Sequence, residues 1–114
     1  MEHSNIKTLY RYGYHAVYLD DNYMLEVNVG IERYNVIKHT PKGFVIDLEY
    51  GLTKFVLNYG RKRFAYPTPK EAIESLVIRK RKHIGSLKRT IKELEVVLSK
   101  ANEIAKQFKP EGNE

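Results

Sequence analysis

The sequence predicts an α+β fold in which an antiparallel bent sheet or small barrel of five or six strands precedes one long C-terminal amphipathic helix. Residues 1–67 hold short runs of β-branched and aromatic residues between turn signals, a texture typical of antiparallel strands. In residues 68–109 apolar side chains recur every three or four positions, which is the period of a helix. Residues 110–114 follow the helix and are predicted to be a disordered tail.

The strand candidates are short because glycine, proline and acidic residues divide the first 66 residues. Gly13 and Gly30 each separate two candidates, and Gly30 is interpreted as a bulge or tight turn. Turns are predicted at residues 20–22, 40–43 and 49–51. The candidate strands are residues 6–11, 14–19, 23–29, 31–38, 44–48, 53–58 and a short piece at 62–66.

The start of the helix has a specific local signature. Thr68 is placed as the N-cap, Pro69 occupies the first helical position, and Glu71 follows three residues after the cap. A threonine hydroxyl accepts a backbone N–H that has no partner inside the helix, and proline lacks the donor that would be unsatisfied there. The sequence therefore predicts that the β-rich part ends at this junction.

The helix carries a continuous apolar stripe with alternating spacings of three and four residues, interrupted only at Lys80 when it is extended backward. Gly85 and Ser86 are weak breaks, because one glycine in a helix costs only about 1 kcal/mol. One long helix is therefore favoured over a folded hairpin. A small sheet cannot cover this stripe, which predicts a homo-oligomer, most simply a dimer. The stripe, hereafter the seam, consists of Ile84, Leu87, Ile91, Leu94, Leu98, Ala101, Ala105 and Phe108.

Composition limits the possible functions. The 114 residues include no cysteine, which excludes disulfides, thiolate metal sites and cysteine nucleophiles. The first apolar run is short and interrupted by charges, and no run reaches the roughly 20 apolar residues of a membrane span. We expect a soluble, intracellular protein that does not contact membranes.

The formal charge of +6 is unevenly distributed. Residues 1–60 carry six Lys or Arg against seven Asp or Glu, a net charge of −1, whereas residues 61–114 carry fourteen against seven, a net charge of +7. All nine tyrosines lie at or before Tyr66. A tyrosine-rich, nearly neutral body with a basic helix indicates an anionic partner, although a basic helix also serves solubility alone.

The junction is the first candidate binding site. In a strand Arg61 and Arg63 share a face, Tyr66 is a candidate for stacking, and the helix start after Thr68 favours an anion. These four residues are predicted to bind an anionic, nucleotide-like ligand, with His39 or Arg33 as further candidates. The alternative is that the arginines are solvated and discourage edge pairing while Tyr66 packs in the core.

The basic helix is a second candidate site. Five successive cationic or histidine residues from position 79 to 83 surround the helix and cannot all reach one small ligand. A subset on one side, the basic track, is predicted to contact nucleic-acid phosphates, although a solvated helix surface explains the same pattern. The basic track consists of Arg79, Lys82, Lys88, Arg89 and Lys92.

No catalytic or metal motif is recognisable. The four histidines are far apart without metal-ligand spacing, and neither a glycine-rich phosphate loop nor a nucleophile elbow is present. We expect a non-enzymatic protein with no catalytic residues, no metal and no cofactor.

Several segments together resemble a group of small, uncharacterised bacteriophage proteins. The similarity covers roughly residues 36–108 and rests on the TPKG-aromatic strand at 40–46, the RKRFAYPT junction at 61–68, and Glu71-Ala72 followed by Arg79-Lys80. The resemblance implies a phage accessory protein that acts in the host cytoplasm. It carries over no site residues.

Three functions remain open from the sequence. The first is a counter-defence protein that sequesters an anionic nucleotide or signalling molecule at the junction. The second is a nucleic-acid-binding protein that uses the basic helix. The third is an inhibitor or adaptor whose helix binds a host or phage protein.

Overall fold

Four antiparallel β-strands and one α-helix form the fold, which confirms the predicted α+β class. The computed structural model describes residues 5–19, 25–60 and 62–108. The strands form an open sheet in the order β1-β2-β3-β4, so the prediction of five or six strands was wrong. The elements are β1 Thr8–Tyr18, β2 Leu25–Thr40, β3 Gly43–Glu49, β4 Leu52–Leu57 and α1 Pro69–Ala105.

The strand number differs because two glycines lie inside strands rather than at turns. Gly13 and Gly30 face each other in the β1–β2 register, and neither has a positive φ. At each of these glycines, the two strands that were expected on either side form one long strand. The expected strand at residues 62–66 is reduced to one bridge, in which Tyr10 and Tyr66 exchange backbone hydrogen bonds of 2.7 and 2.8 Å.

Two of the three predicted turns are confirmed. Thr40 and Gly43 flank the β2–β3 turn, where the Thr40 hydroxyl accepts the Gly43 N–H and donates to the Gly43 carbonyl, both at 3.1 Å. The β3–β4 turn contains positive φ angles at Glu49, Tyr50 and Gly51. The predicted turn at 20–22 lies outside the described residues.

The core is small and lies on one face of the sheet. Phe44 and Ile46 alternate along β3 and are almost fully buried, as are Leu9 of β1 and Val56 of β4. Ala65 joins them from the segment that follows β4. This packing brings residues 62–66, which include the junction candidates Arg63 and Tyr66, close to the core.

The outer parts of β1 and β2 form a two-stranded ribbon, because β2 pairs with β3 only from Val36 onward. On one face of this ribbon, the alternating side chains of the two strands are mainly apolar and aromatic, and most of them are exposed. The exposed members of this face include Tyr14, Tyr18, Leu25, Val27 and Val29.

The chain divides into two compact units, Met1–Val77 and Ile78–Glu114. In the first unit, the first turns of α1 bury Ala72 and Leu76. In the second unit, the helix continues through Gly85 and Ser86, as the sequence favoured, and ends at Ala105. The predicted tail at 110–114 lies outside the described residues.

Candidate functional site

The helix start forms the predicted cap. Glu71 donates its backbone N–H to the Thr68 hydroxyl at 3.2 Å, and that hydroxyl donates to the Glu71 carboxylate at 3.0 Å. The positive end of the helix therefore already has a negative charge beside it. Both hydrogen bonds of the Thr68 hydroxyl are made within the first turn of the helix. The Glu71 carboxylate makes this end of the helix less favourable for an anion than the arginine side of the junction.

Arg63 and Tyr66 are brought together at the junction. The Arg63 guanidinium carbon lies 5.5 Å from the Tyr66 ring centroid, and its Nε donates to the Gly60 carbonyl at 3.0 Å. Tyr66 is only 9% exposed, so its ring supports the guanidinium instead of offering an open stacking surface. Arg61, the second predicted arginine, lies outside the described residues.

Two further cations, which are not among the candidates from the sequence, lie over the Phe64 ring. The Arg11 guanidinium lies 4.6 Å and the Lys54 ammonium 5.0 Å from the Phe64 ring centroid. Arg11 also donates to the Phe64 carbonyl at 2.7 Å. We call Arg11, Lys54 and Arg63, with the two rings that they cover, the cationic cluster.

The three cations come from β1, β4 and the segment before the helix. Within the described ranges none of them forms an ion pair with a carboxylate. Their side chains are held by aromatic rings and, for the two arginines, by carbonyl oxygens. Two of the cations therefore meet at Phe64 and the third lies at Tyr66, while Glu32, opposite Arg11 in the β1–β2 register, offsets part of the positive charge.

Strand alternation contained a signal for the two missed cations. Arg11 lies two residues after buried Leu9, and Lys54 lies two residues before buried Val56. Each cation therefore shares the core-facing side of its strand. A cation at such a position is unusual enough to select as a candidate.

The Glu32 carboxylate belongs to the residue directly opposite Arg11 in the β1–β2 register, and it accepts a hydrogen bond from a tyrosine. The Tyr34 hydroxyl donates to Glu32 at 3.1 Å, and the Tyr34 ring lies 5.4 Å from that of Phe64. Burial, followed by the hydrogen bond to Glu32, raises the pKa of Tyr34, while Arg11 acts in the opposite direction. The hydroxyl therefore remains a donor to Glu32 at neutral pH.

The two secondary candidates from the sequence lie elsewhere in the first unit. His39 places Nε2 2.7 Å from the Ile6 carbonyl oxygen and packs edge-on against Phe44. Arg33 faces Tyr10 in the β1–β2 register, so it lies on the opposite face from Arg11.

In the second unit, the basic track is exposed, as expected for either a phosphate-binding surface or a solvated helix. Its five cations occupy helical positions outside the seam, so they extend along the helix instead of converging on one point. Such a line of charge suits an extended polyanion better than a small ligand.

The seam is also exposed along this helix. Ile84, Leu87, Ile91, Leu94 and Leu98 have between 50% and 61% of their surface accessible. The second unit thus presents a row of large apolar side chains on one exposed face of the helix.

Among the residues that the structure describes, no group of three or more His, Asp or Glu is arranged to hold a metal ion. The described helix is not apolar enough over a sufficient length to cross a membrane. No known protein family, curated protein or solved structure matches this chain.

Proposed function

We propose that this protein binds a phosphate-bearing anion, such as a nucleotide, at the cationic cluster. The observation that carries the proposal is that Arg11 and Lys54 lie over the Phe64 ring and Arg63 over the Tyr66 ring, two residues further along the same segment, and that none of the three forms an ion pair in the described residues. The rings and carbonyls fix these cations before a ligand arrives, which reduces the entropy that binding must overcome.

The proposed role is capture rather than chemistry. The cluster supplies charge and aromatic support, and it pairs no nucleophile with a general base. The resemblance to small bacteriophage proteins supports a setting in the host cytoplasm, where sequestering a nucleotide signal would counteract host defence. The amount of signal removed would then depend on the concentration of the protein and on its affinity for that nucleotide.

The test is isothermal titration calorimetry with ATP, tripolyphosphate and adenosine as probes. We expect ATP and tripolyphosphate to bind, and adenosine, which lacks phosphate, to give no heat. A charge-assisted hydrogen bond contributes about 1.5–3 kcal/mol. Replacing Arg63 by alanine should therefore weaken ATP binding roughly tenfold to a hundredfold.

The matched control is Lys62→Ala, which removes an exposed neighbouring cation that lies outside the cluster. Its ATP affinity should stay within about twofold of the unmodified protein, because one solvated charge contributes little. Equal losses in both variants would indicate general charge attraction. No loss in Arg63→Ala would show that the cation only covers the Tyr66 ring.

Nucleic-acid binding is a second candidate function, and the exposed basic track favours it. The same titration with generic single- and double-stranded DNA and RNA separates the two, at low and moderate salt. Binding through the track should weaken steeply with salt because each phosphate contact releases a counterion. The Arg63→Ala substitution should leave this binding unchanged. Absence of nucleic-acid binding at low salt would reject the second candidate function.

A further inference from the structure

The seam and the basic track share one helix, and the charges on that helix are strongly polarised along its length. Residues 78–92 carry seven Lys or Arg and no Asp or Glu, whereas residues 93–108 carry two Lys and three Glu. The first half therefore has a charge of +7 and the second −1. Any partner that covers the seam must accommodate this gradient.

A second copy in parallel orientation would accommodate it poorly. Parallel pairing places both +7 segments side by side, and it stacks each seam residue on its own counterpart. Lys80, which interrupts the stripe, would face Lys80. Ala101 and Ala105 would each face another alanine and leave loosely packed layers.

A second copy in antiparallel orientation resolves each of these conflicts. Seam positions then pair so that the two residue numbers add to 185, which centres the pairing between Lys92 and Glu93. Each basic half lies along the mildly acidic half of the other copy. The resulting layers are Lys80 with Ala105, Ile84 with Ala101, Leu87 with Leu98, and Ile91 with Leu94.

These layers match large side chains with small ones near the ends and pair large side chains at the centre. Opposite Lys80, the small Ala105 leaves room for the lysine stem to lie on the seam while the ammonium reaches water. Near the centre, Lys88 of one copy approaches Glu95 of the other, twice by symmetry. These contacts all come from a single register.

We propose that two copies of this chain pair through the seam in antiparallel orientation over residues 80–105. The pairing covers the exposed leucines and isoleucines of the seam. It leaves most of the basic track on the outer side of both helices, because those cations lie away from the seam. The proposal does not depend on which anion the cationic cluster binds.

Cysteine cross-linking tests the orientation directly, because the chain contains no cysteine of its own. We choose Ile84→Cys and Ala101→Cys, made as two separate proteins and oxidised alone or after mixing. In the antiparallel pair, position 84 faces position 101, but two copies of either position lie about 25 Å apart along the axis. A disulfide needs Cα atoms within roughly 7 Å.

We expect a covalent dimer only in the mixture. A covalent dimer in either variant alone would indicate parallel pairing and overturn the proposal, as would the absence of any cross-link in the mixture. Circular dichroism confirms that both variants keep their helix. Sedimentation equilibrium of the unmodified protein at micromolar concentration gives an independent result: a mass of two chains is expected, and a mass of one chain overturns the proposal.

Discussion

Replacing Gly43 by alanine should lower the free energy of unfolding by about 3 kcal/mol, a large part of the stability of a domain with so small a core. A methyl group at Gly43 would overlap the carbonyl oxygen of Val56 and lie 2.8 Å from the Phe55 ring. The backbone has little freedom to move away, because Gly43 and Phe44 are paired with β4. The measurement is chemical denaturation followed by circular dichroism.

Gly13→Ala is the control for this prediction. A methyl group there meets no atom within 4 Å, and Gly13 has no positive φ. The change should be neutral or slightly stabilising, because alanine restricts the unfolded chain. If Gly43→Ala unfolded at the same denaturant concentration as Gly13→Ala, the close approach of β3 and β4 would be contradicted.

Replacing Leu94 by aspartate should convert the proposed dimer to monomers. Leu94 lies at the centre of the seam and is exposed in the single chain. Burying an unpaired carboxylate there costs several kcal/mol, and symmetry introduces the charge twice. We expect the dissociation constant, measured by sedimentation, to rise about a hundredfold or more.

Val96→Asp is the matched control, because Val96 is exposed to a similar degree but lies on the same helix outside the seam. It should leave the dimer intact. If both variants stayed dimeric, the seam would not be the contact surface. If both dissociated, the effect would follow from added charge in general.

The sequence predicted the elements whose signals are local. The cap at Thr68 and Glu71 and the turn at Thr40 and Gly43 depend on neighbouring residues, and both were confirmed. The long helix was predicted because its apolar period continues through Gly85. Propensities and capping act over a few residues, so a single sequence contains them.

The predicted number of strands was wrong because the sequence alone does not show whether a glycine lies in a turn or in an extended strand. Gly13 and Gly30 are extended because each is paired with the other across the ribbon, and that pairing depends on the register of two strands. Register is a non-local property, set by the hydrophobic pattern and the turn geometry together. A prediction from neighbouring residues alone therefore divided β1 and β2, which are continuous strands.

The candidate site was predicted only in part for the same reason. Arg63 and Tyr66 are close in sequence and were selected together, and the structure places them in contact. Arg11 and Lys54 are brought to Phe64 by the packing of residues 62–66 near the core, and strand alternation indicates only that each cation is on the core-facing side of its strand. The structure thus adds two cations at Phe64, two residues before Tyr66, to the candidates that the sequence suggested.

A residue-resolved NMR titration with ATP tests the central proposal most directly. Binding at the cationic cluster should shift the backbone amide signals of residues 10–12, 53–55 and 62–66, and these shifts should be greatly reduced in Arg63→Ala. Lys62→Ala should reproduce the shifts of the unmodified protein. Shifts confined to residues 79–92, or no shifts at ATP concentrations that saturate ordinary nucleotide sites, would contradict the proposed site.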